Sequence, residues 1–82
     1  MHGAIEQSEL LKLAARIFGE PLESLSLDTR YGEVPGWDSV NHLRMVMEAE
    51  SLFGVNYALE TIPQMRRLQD FVDRADGDAT AD

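Results

Sequence analysis

No cysteine occurs anywhere in the 82 residues. That absence excludes a disulfide framework and leaves the chain no thiolate of its own. Basic residues are scarce: seven Lys and Arg stand against fifteen Asp and Glu, a formal net charge of −8. A surface of that sign repels phosphate backbones, so nucleic acid is not an expected partner. Basic patches on other proteins are attracted instead, and encounter is accelerated. No apolar run approaches the ~20 residues that span a bilayer. The start, MHGAIEQSE, lacks the basic and apolar regions of a secretory signal. A cytoplasmic protein without membrane contact is the expectation. Internal repeats, low-complexity tracts and sustained period-two alternation are also missing, so strands are not predicted. A chain this short makes one domain that buries only roughly 60% of its unfolded surface. Its core is modest, which argues against a deep active site.

What is present is helical periodicity. From Ile5 to Phe18, Leu10, Leu13, Ala14, Ile17 and Phe18 recur at steps of three and four and share one helical face. Gly19, Glu20 and Pro21 end that helix. Pro21 to Trp37 reads as a long connection, with a short turn near Leu22 to Ser24. Its Leu22, Leu25, Leu27, Tyr31, Val34 and Trp37 are predicted to pin it across the helices. A second helix, Ser39 to Phe53, carries Leu43, Val46, Met47 and Phe53 as its buried stripe, with Glu50 at the edge and Gly54 as the stop. Asp38 or Ser39 is its N-cap. Ala58 to Ile62 makes a short helix before Pro63, and about Met65 to Ala75 a last one burying Met65, Leu68, Phe71 and Val72. The predicted fold is all-α: a small four-helix bundle of three longer helices and one short, with a long first loop. Residues 1–75 form the domain, and 76–82 a disordered acidic tail.

Candidate chemistry is sparse. Ser39 and His42 lie three apart on one helix with Asp38 adjacent. A hydrolase would also need an oriented base and oxyanion donors, and no glycine-rich donor loop stands nearby, so His42 reads as a surface histidine. No metal set emerges. His2 and His42 have no second histidine at ligand spacing, Glu48 and Glu50 point apart on their helix, and Asp76 and Asp78 lack the later glutamate of a calcium loop. The paired Arg66 and Arg67 could grip a phosphate, but read in preference as a solvated start to the last helix. Met47 and Met65 read as core filling, and Met45, off the stripe, as an exposed apolar contact. Trp37 reads as the anchor of the long loop.

The stretch Gly36-Trp37-Asp38-Ser39-Val40-Asn41-His42-Leu43 puts a serine where loop becomes helix. Unpaired N–H groups and the positive end of the helix dipole suit a phosphate ester on that hydroxyl, even without a basic side chain nearby. Asp38 is suited to be read by a modifying enzyme or to bind its metal.

These features together resemble the acyl carrier protein family, over nearly the whole chain from about Ile5 to Ala75. Asp38-Ser39-Val40 looks like the family's Asp-Ser-Leu, with valine for leucine. Leu43, Val46, Met47 and Phe53-Gly54 are similar to its second helix. Ala58 to Ile62, then Met65-x-x-Leu68-x-x-Phe71-Val72, look like its third and fourth. The length matches a free-standing carrier.

The resemblance implies that Ser39 receives 4′-phosphopantetheine from coenzyme A through a phosphopantetheinyl transferase, with Asp38 part of the recognised motif. The arm's thiol, which the chain itself lacks, would then carry acyl groups as thioesters. The chain is expected to act as a monomer and to perform no catalysis. It would present cargo to loading and processing enzymes such as a ligase, acyltransferase or ketosynthase, raising the local substrate concentration by tethering. The family's docking positions match Val40, Asn41, Arg44, Met45, Met47, Glu48 and Glu50. Asn41 and Arg44 stand where fatty-acid carriers usually show acids, which favours a polyketide or other natural-product pathway. An aminoacyl or peptidyl carrier is the alternative within the class. Outside it stands an unmodified module that docks through its acidic second helix.

Overall fold

The computed structural model describes residues 5–75. Among them, α1 spans Gln7–Phe18, α2 Ser39–Phe53 and α3 Leu68–Asp73, with 3-10 segments at Leu22–Ser24 and Leu59–Gln64. No strand forms among the described residues; one antiparallel bridge joins Arg30 and Arg67. The all-helical class is as predicted. No described helix is long and apolar enough to cross a membrane. The predicted tail, and with it His2, Asp76 and Asp78, lies outside the described residues.

α1 buries the five predicted residues, Leu10, Leu13, Ala14, Ile17 and Phe18. It starts at Gln7 rather than Ile5, because Glu6 takes the extended cap conformation while Ile5 packs partly against the core. Gly19 closes it at φ +70°, donating its N–H to the Ala15 carbonyl in a left-handed cap that glycine adopts without steric cost.

The long connection is pinned by its apolar residues. Leu25 and Trp37 are buried and Leu27, Tyr31 and Val34 are partly so, whereas Leu22 stays exposed. Gly36 passes so close to α1 that a Cβ there would overlap the Phe18 carbonyl. That approach lets the next residue, Trp37, stack on the Phe18 ring at 5.0 Å between centroids.

The main departure from expectation is the rotation of α2. Its buried face is His42, Met45, Val46 and Ala49, a regular i, i+3, i+4, i+7 stripe. Leu43 and Met47, predicted to be core, are 52% and 64% exposed, and Met45, predicted to be exposed, is fully buried. The cause is His42. Counted as a surface residue, it shifts the inferred stripe about 100° around the helix. In the structure its polar atoms are satisfied and it belongs to the core face.

The last helix is also shorter than predicted. The Leu59–Gln64 segment continues through Pro63, whose fixed φ suits a 3-10 turn. Arg67 is then extended at φ −130°, ψ 156°, and the stretch pairs with the first loop. Tyr31 N–H donates to the Arg66 carbonyl (2.7 Å), Leu68 N–H to that of Thr29 (3.1 Å) and Gln69 N–H to that of Leu27 (2.8 Å). A six-residue helix is too short to persist alone. α3 is held by the fully buried Leu68 and Phe71, and by Tyr57, whose hydroxyl donates to the Phe71 carbonyl at 2.7 Å.

Gly36→Ala is expected to lower stability by about 2 kcal/mol or more, because the obstruction is backbone rather than a movable side chain. Urea unfolding followed by Trp37 fluorescence measures it, and an unchanged midpoint would contradict the close approach. Burial first, and the Glu50 charge second, push the Tyr57 phenol well above its ordinary value of 10. The folded state therefore keeps this proton longer than the unfolded chain. The stability tied to Tyr57 is fully present below pH 10 and declines as pH rises above it. Tyr57→Phe should lose the hydrogen bond at neutral pH yet show a shallower alkaline decline than the parent, read from melting midpoints between pH 8 and 11.

Candidate functional site: the start of the second helix

Asp38 takes the cap of α2. Its backbone is extended, its Oδ1 accepts from Asn41 N–H at 2.9 Å, and its carbonyl accepts from His42 N–H at 2.8 Å. With the cap filled, Ser39 becomes the first helical residue, and it is exposed. Among the described residues no hydrogen bond engages its hydroxyl. The Asn41 side-chain amide donates to the Gly36 carbonyl at 2.7 Å, which closes the loop onto the helix and leaves Asn41 half-buried.

Directly beneath lies a buried polar chain. Trp37, 1% exposed, donates from Nε1 to His42 Nδ1 at 3.0 Å, and His42 Nε2 meets the Ile62 carbonyl at 2.8 Å. Indole nitrogen is only a donor, so His42 Nδ1 must accept and Nε2 must carry the proton given to Ile62. His42, predicted at the surface, is thus 8% exposed with both ring nitrogens engaged. Neither is left to take a proton from Ser39, and the hydrolase arrangement has no base.

Ser39 lines a cavity of about 310 Å³ with Tyr31, His42, Leu43, Ile62, Pro63 and Arg66. Its walls come from the first loop, α2, the 3-10 segment and the extended residues before α3. Arg66 does not begin a helix as predicted. Its guanidinium lies 4.8 Å above the centre of the Tyr31 ring, while Arg67 pairs with Asp70 at 3.3 Å. Tyr31, Ile62 and Pro63 were not singled out as site residues in the sequence, and Arg66 was weighed as a phosphate grip and set aside for a helix start. The backbone pairing of 27–31 with 66–69 brings Tyr31 and Arg66 to that wall, and the His42 bond to the Ile62 carbonyl holds the 3-10 segment there.

The other predicted docking positions divide. Val40 and Met47 are 66% and 64% exposed and, with Leu43, form an apolar stripe running from Ser39 along α2. Arg44 is exposed and reaches Glu48 at 3.8 Å, which also meets Arg16 of α1 at 3.4 Å. Met45 is buried and offers nothing to a partner. Glu50 is committed inward, accepting from Tyr57 N–H at 2.9 Å.

No family model matches the chain. It is 34% identical over 68 residues to an acyl carrier protein of Rickettsia bellii (strain RML369-C), a match covering 83% of this chain and 78% of that protein. A second Rickettsia bellii acyl carrier protein (strain OSU 85-389) is likewise 34% identical, with 83% of each chain covered. An acyl carrier protein of Aster yellows witches'-broom phytoplasma (strain AYWB) is 41% identical over 49 residues, which span 60% of this chain and 64% of that protein. The helical fold and the Asp-Ser start of α2 thus define a carrier-type domain. The chain belongs to the acyl carrier protein family.

His42→Leu keeps comparable bulk but leaves the buried Trp37 N–H without an acceptor. Stability should fall by about 2–3 kcal/mol, measured by urea unfolding. A loss under about 0.5 kcal/mol, within the ordinary spread of neutral substitutions, would contradict the buried chain.

Proposed function

We propose that the chain carries acyl groups as thioesters on a 4′-phosphopantetheine arm esterified to Ser39 and performs no catalysis of its own. The observation that carries this reading is the division of labour at the start of α2. Asp38 supplies the cap, so the Ser39 hydroxyl is exposed and unengaged among the described residues, at the mouth of a cavity. The N–H groups of Ser39 and Val40, which the cap leaves unengaged among the described residues at the start of a fifteen-residue helix, and the Arg66 side chain suit an anion at that position. When bound, the arm supplies the thiol that the cysteine-free chain lacks.

In the loading step, Ser39 Oγ forms a bond to the phosphorus of coenzyme A that bears the pantetheine. The bond from that phosphorus to adenosine 3′,5′-bisphosphate breaks, and the hydroxyl proton leaves to a base of the phosphopantetheinyl transferase. The exposed stripe Val40, Leu43 and Met47, set in an acidic surface, suits brief docking onto processing enzymes with apolar, basic-rimmed faces. Such partners are acyl-loading and acyl-processing enzymes of a polyketide or other natural-product pathway in the cytoplasm. Support for that specialised setting is the exposed Arg44 on the same helix, where fatty-acid carriers usually present an acid.

Purified protein incubated with coenzyme A and a broad-specificity transferase should gain the mass of one phosphopantetheine, and Ser39→Ala should gain none. Absence of the adduct, under conditions that modify a known carrier, would favour a module that only docks.

A further inference from the structure

Among the described cations, most are already occupied. Lys12 pairs with Glu9, Arg16 and Arg44 with Glu48, and Arg67 with Asp70, while Arg74 donates to Gln64. Arg30 and Arg66 have no carboxylate partner among the described residues, and of the two only Arg66 lines the cavity beside Ser39. Among the described residues no carboxylate lies within ion-pair reach of its guanidinium, which rests instead on the Tyr31 ring at 4.8 Å. The nearest acid in sequence, Asp70, is used up: its Oδ2 accepts from the Arg66 and Arg67 N–H groups, and its Oδ1 from the Arg67 side chain. Two hydrogen bonds fix the Arg66 main chain: its N–H donates to the Asp70 carboxylate, and its carbonyl accepts from Tyr31 N–H at 2.7 Å. A cation held in place but not neutralised thus lines the cavity that also contains Ser39.

We infer that Arg66 is a positioning residue for the arm: its guanidinium, seated on Tyr31, pairs with the phosphodiester that modification would place on Ser39. The inference rests on the carrier reading above and adds a residue to it. Three observations favour the phosphodiester as the anion. The phosphorus would be bonded directly to Ser39, a lining residue of the same cavity. At about 310 Å³ the cavity is at the small end of ligand pockets, usually about 300–1,000 Å³. It therefore suits the part of the arm nearest Ser39 rather than arm and cargo together, with Leu43, Ile62 and Pro63 facing that part's methyl groups. Finally, the exposed Asp38 carboxylate beside Ser39 repels an added negative charge, and Arg66 offsets that repulsion. An anionic cargo, such as an acyl group ending in a carboxylate, shares the same chemistry and is separated by the test.

The test compares the melting midpoints of unmodified and modified protein for the parent, Arg66→Gln and Arg66→Lys, after intact mass has confirmed the adduct in each. At low salt the parent should gain about 1–8 °C on modification, the range an exposed ion pair gives in a domain of this size. The gain should largely vanish at 1 M NaCl, where screening acts over ~3 Å. Arg66→Gln should show no gain at either salt, and Arg66→Lys a reduced one, because ammonium keeps the charge without the planar stack. The inference is overturned if Arg66→Gln gains as much as the parent, or if the parent gains nothing despite a complete adduct. A gain that depends on Arg66 only after loading with a succinyl group, and not with an acetyl group or the free thiol, would assign the cation to cargo and equally overturn it. Absence of any adduct in the parent would sink the carrier reading and this inference together, a result the mass separates from all the others.

Discussion

The hydrogen bond from Trp37 Nε1 to His42 Nδ1, continued from His42 Nε2 to the Ile62 carbonyl, joins three segments far apart in the chain. The loop, α2 and the second 3-10 segment meet through one imidazole ring. Burying that ring is tolerable only because both nitrogens are satisfied, since an unpaired polar group in a dry core costs about as much as a well-packed side chain contributes. Aromatic packing reinforces the junction: Phe18 and Phe71 meet Trp37 at 5.0 and 6.4 Å, and Tyr31 meets His42 edge-on at 5.7 Å. Once His42 is inside, the orientation of α2 follows. Met45, Val46 and Ala49 turn inward, and Val40, Leu43 and Met47 are left facing solvent.

That orientation gives the surface its functional character. Leaving an apolar stripe in water forgoes burial energy in a domain with little core to spare, and such a patch usually marks an interaction surface. The stripe begins beside Ser39, so the proposed attachment point and the proposed docking face lie on one helix. The acidity of the rest of the surface suits long-range attraction and quick release better than tight binding. The cavity beside Ser39 depends on distant backbone pairing, in which residues 27–31 run beside 66–69 and bring Tyr31 and Arg66 to its wall.

Much of the fold was legible because its signals are local. The stripe of α1, the glycine caps after Phe18 and Phe53, the turn at Leu22 to Ser24 and the burial of Trp37 all follow from nearby residues. What could not be read depends on tertiary contacts. A histidine looks polar until a tryptophan five residues earlier and a carbonyl twenty residues later are known to satisfy it. The rotation of α2, and with it the exchanged roles of Met45 and Met47, was therefore hidden. Glu50 looked like a docking acid because nothing in the sequence shows that it holds Tyr57 N–H. The exposed place of Ser39 at the start of α2 was legible from its motif. The seat of Arg66 on Tyr31 was not, since the pair Arg66-Arg67 reads first as a helix start until the stretch is seen extended against the first loop.

The orientation of α2 reduces to where one proton sits, and nitrogen NMR of the His42 ring reads that directly. In folded protein at mildly alkaline pH, the ring should show a proton on Nε2, protected from solvent exchange, and a bare Nδ1 whose shift responds when Trp37 is replaced by phenylalanine. A proton on Nδ1, or a ring exchanging freely with water, would contradict the buried chain and the outward face that depends on it.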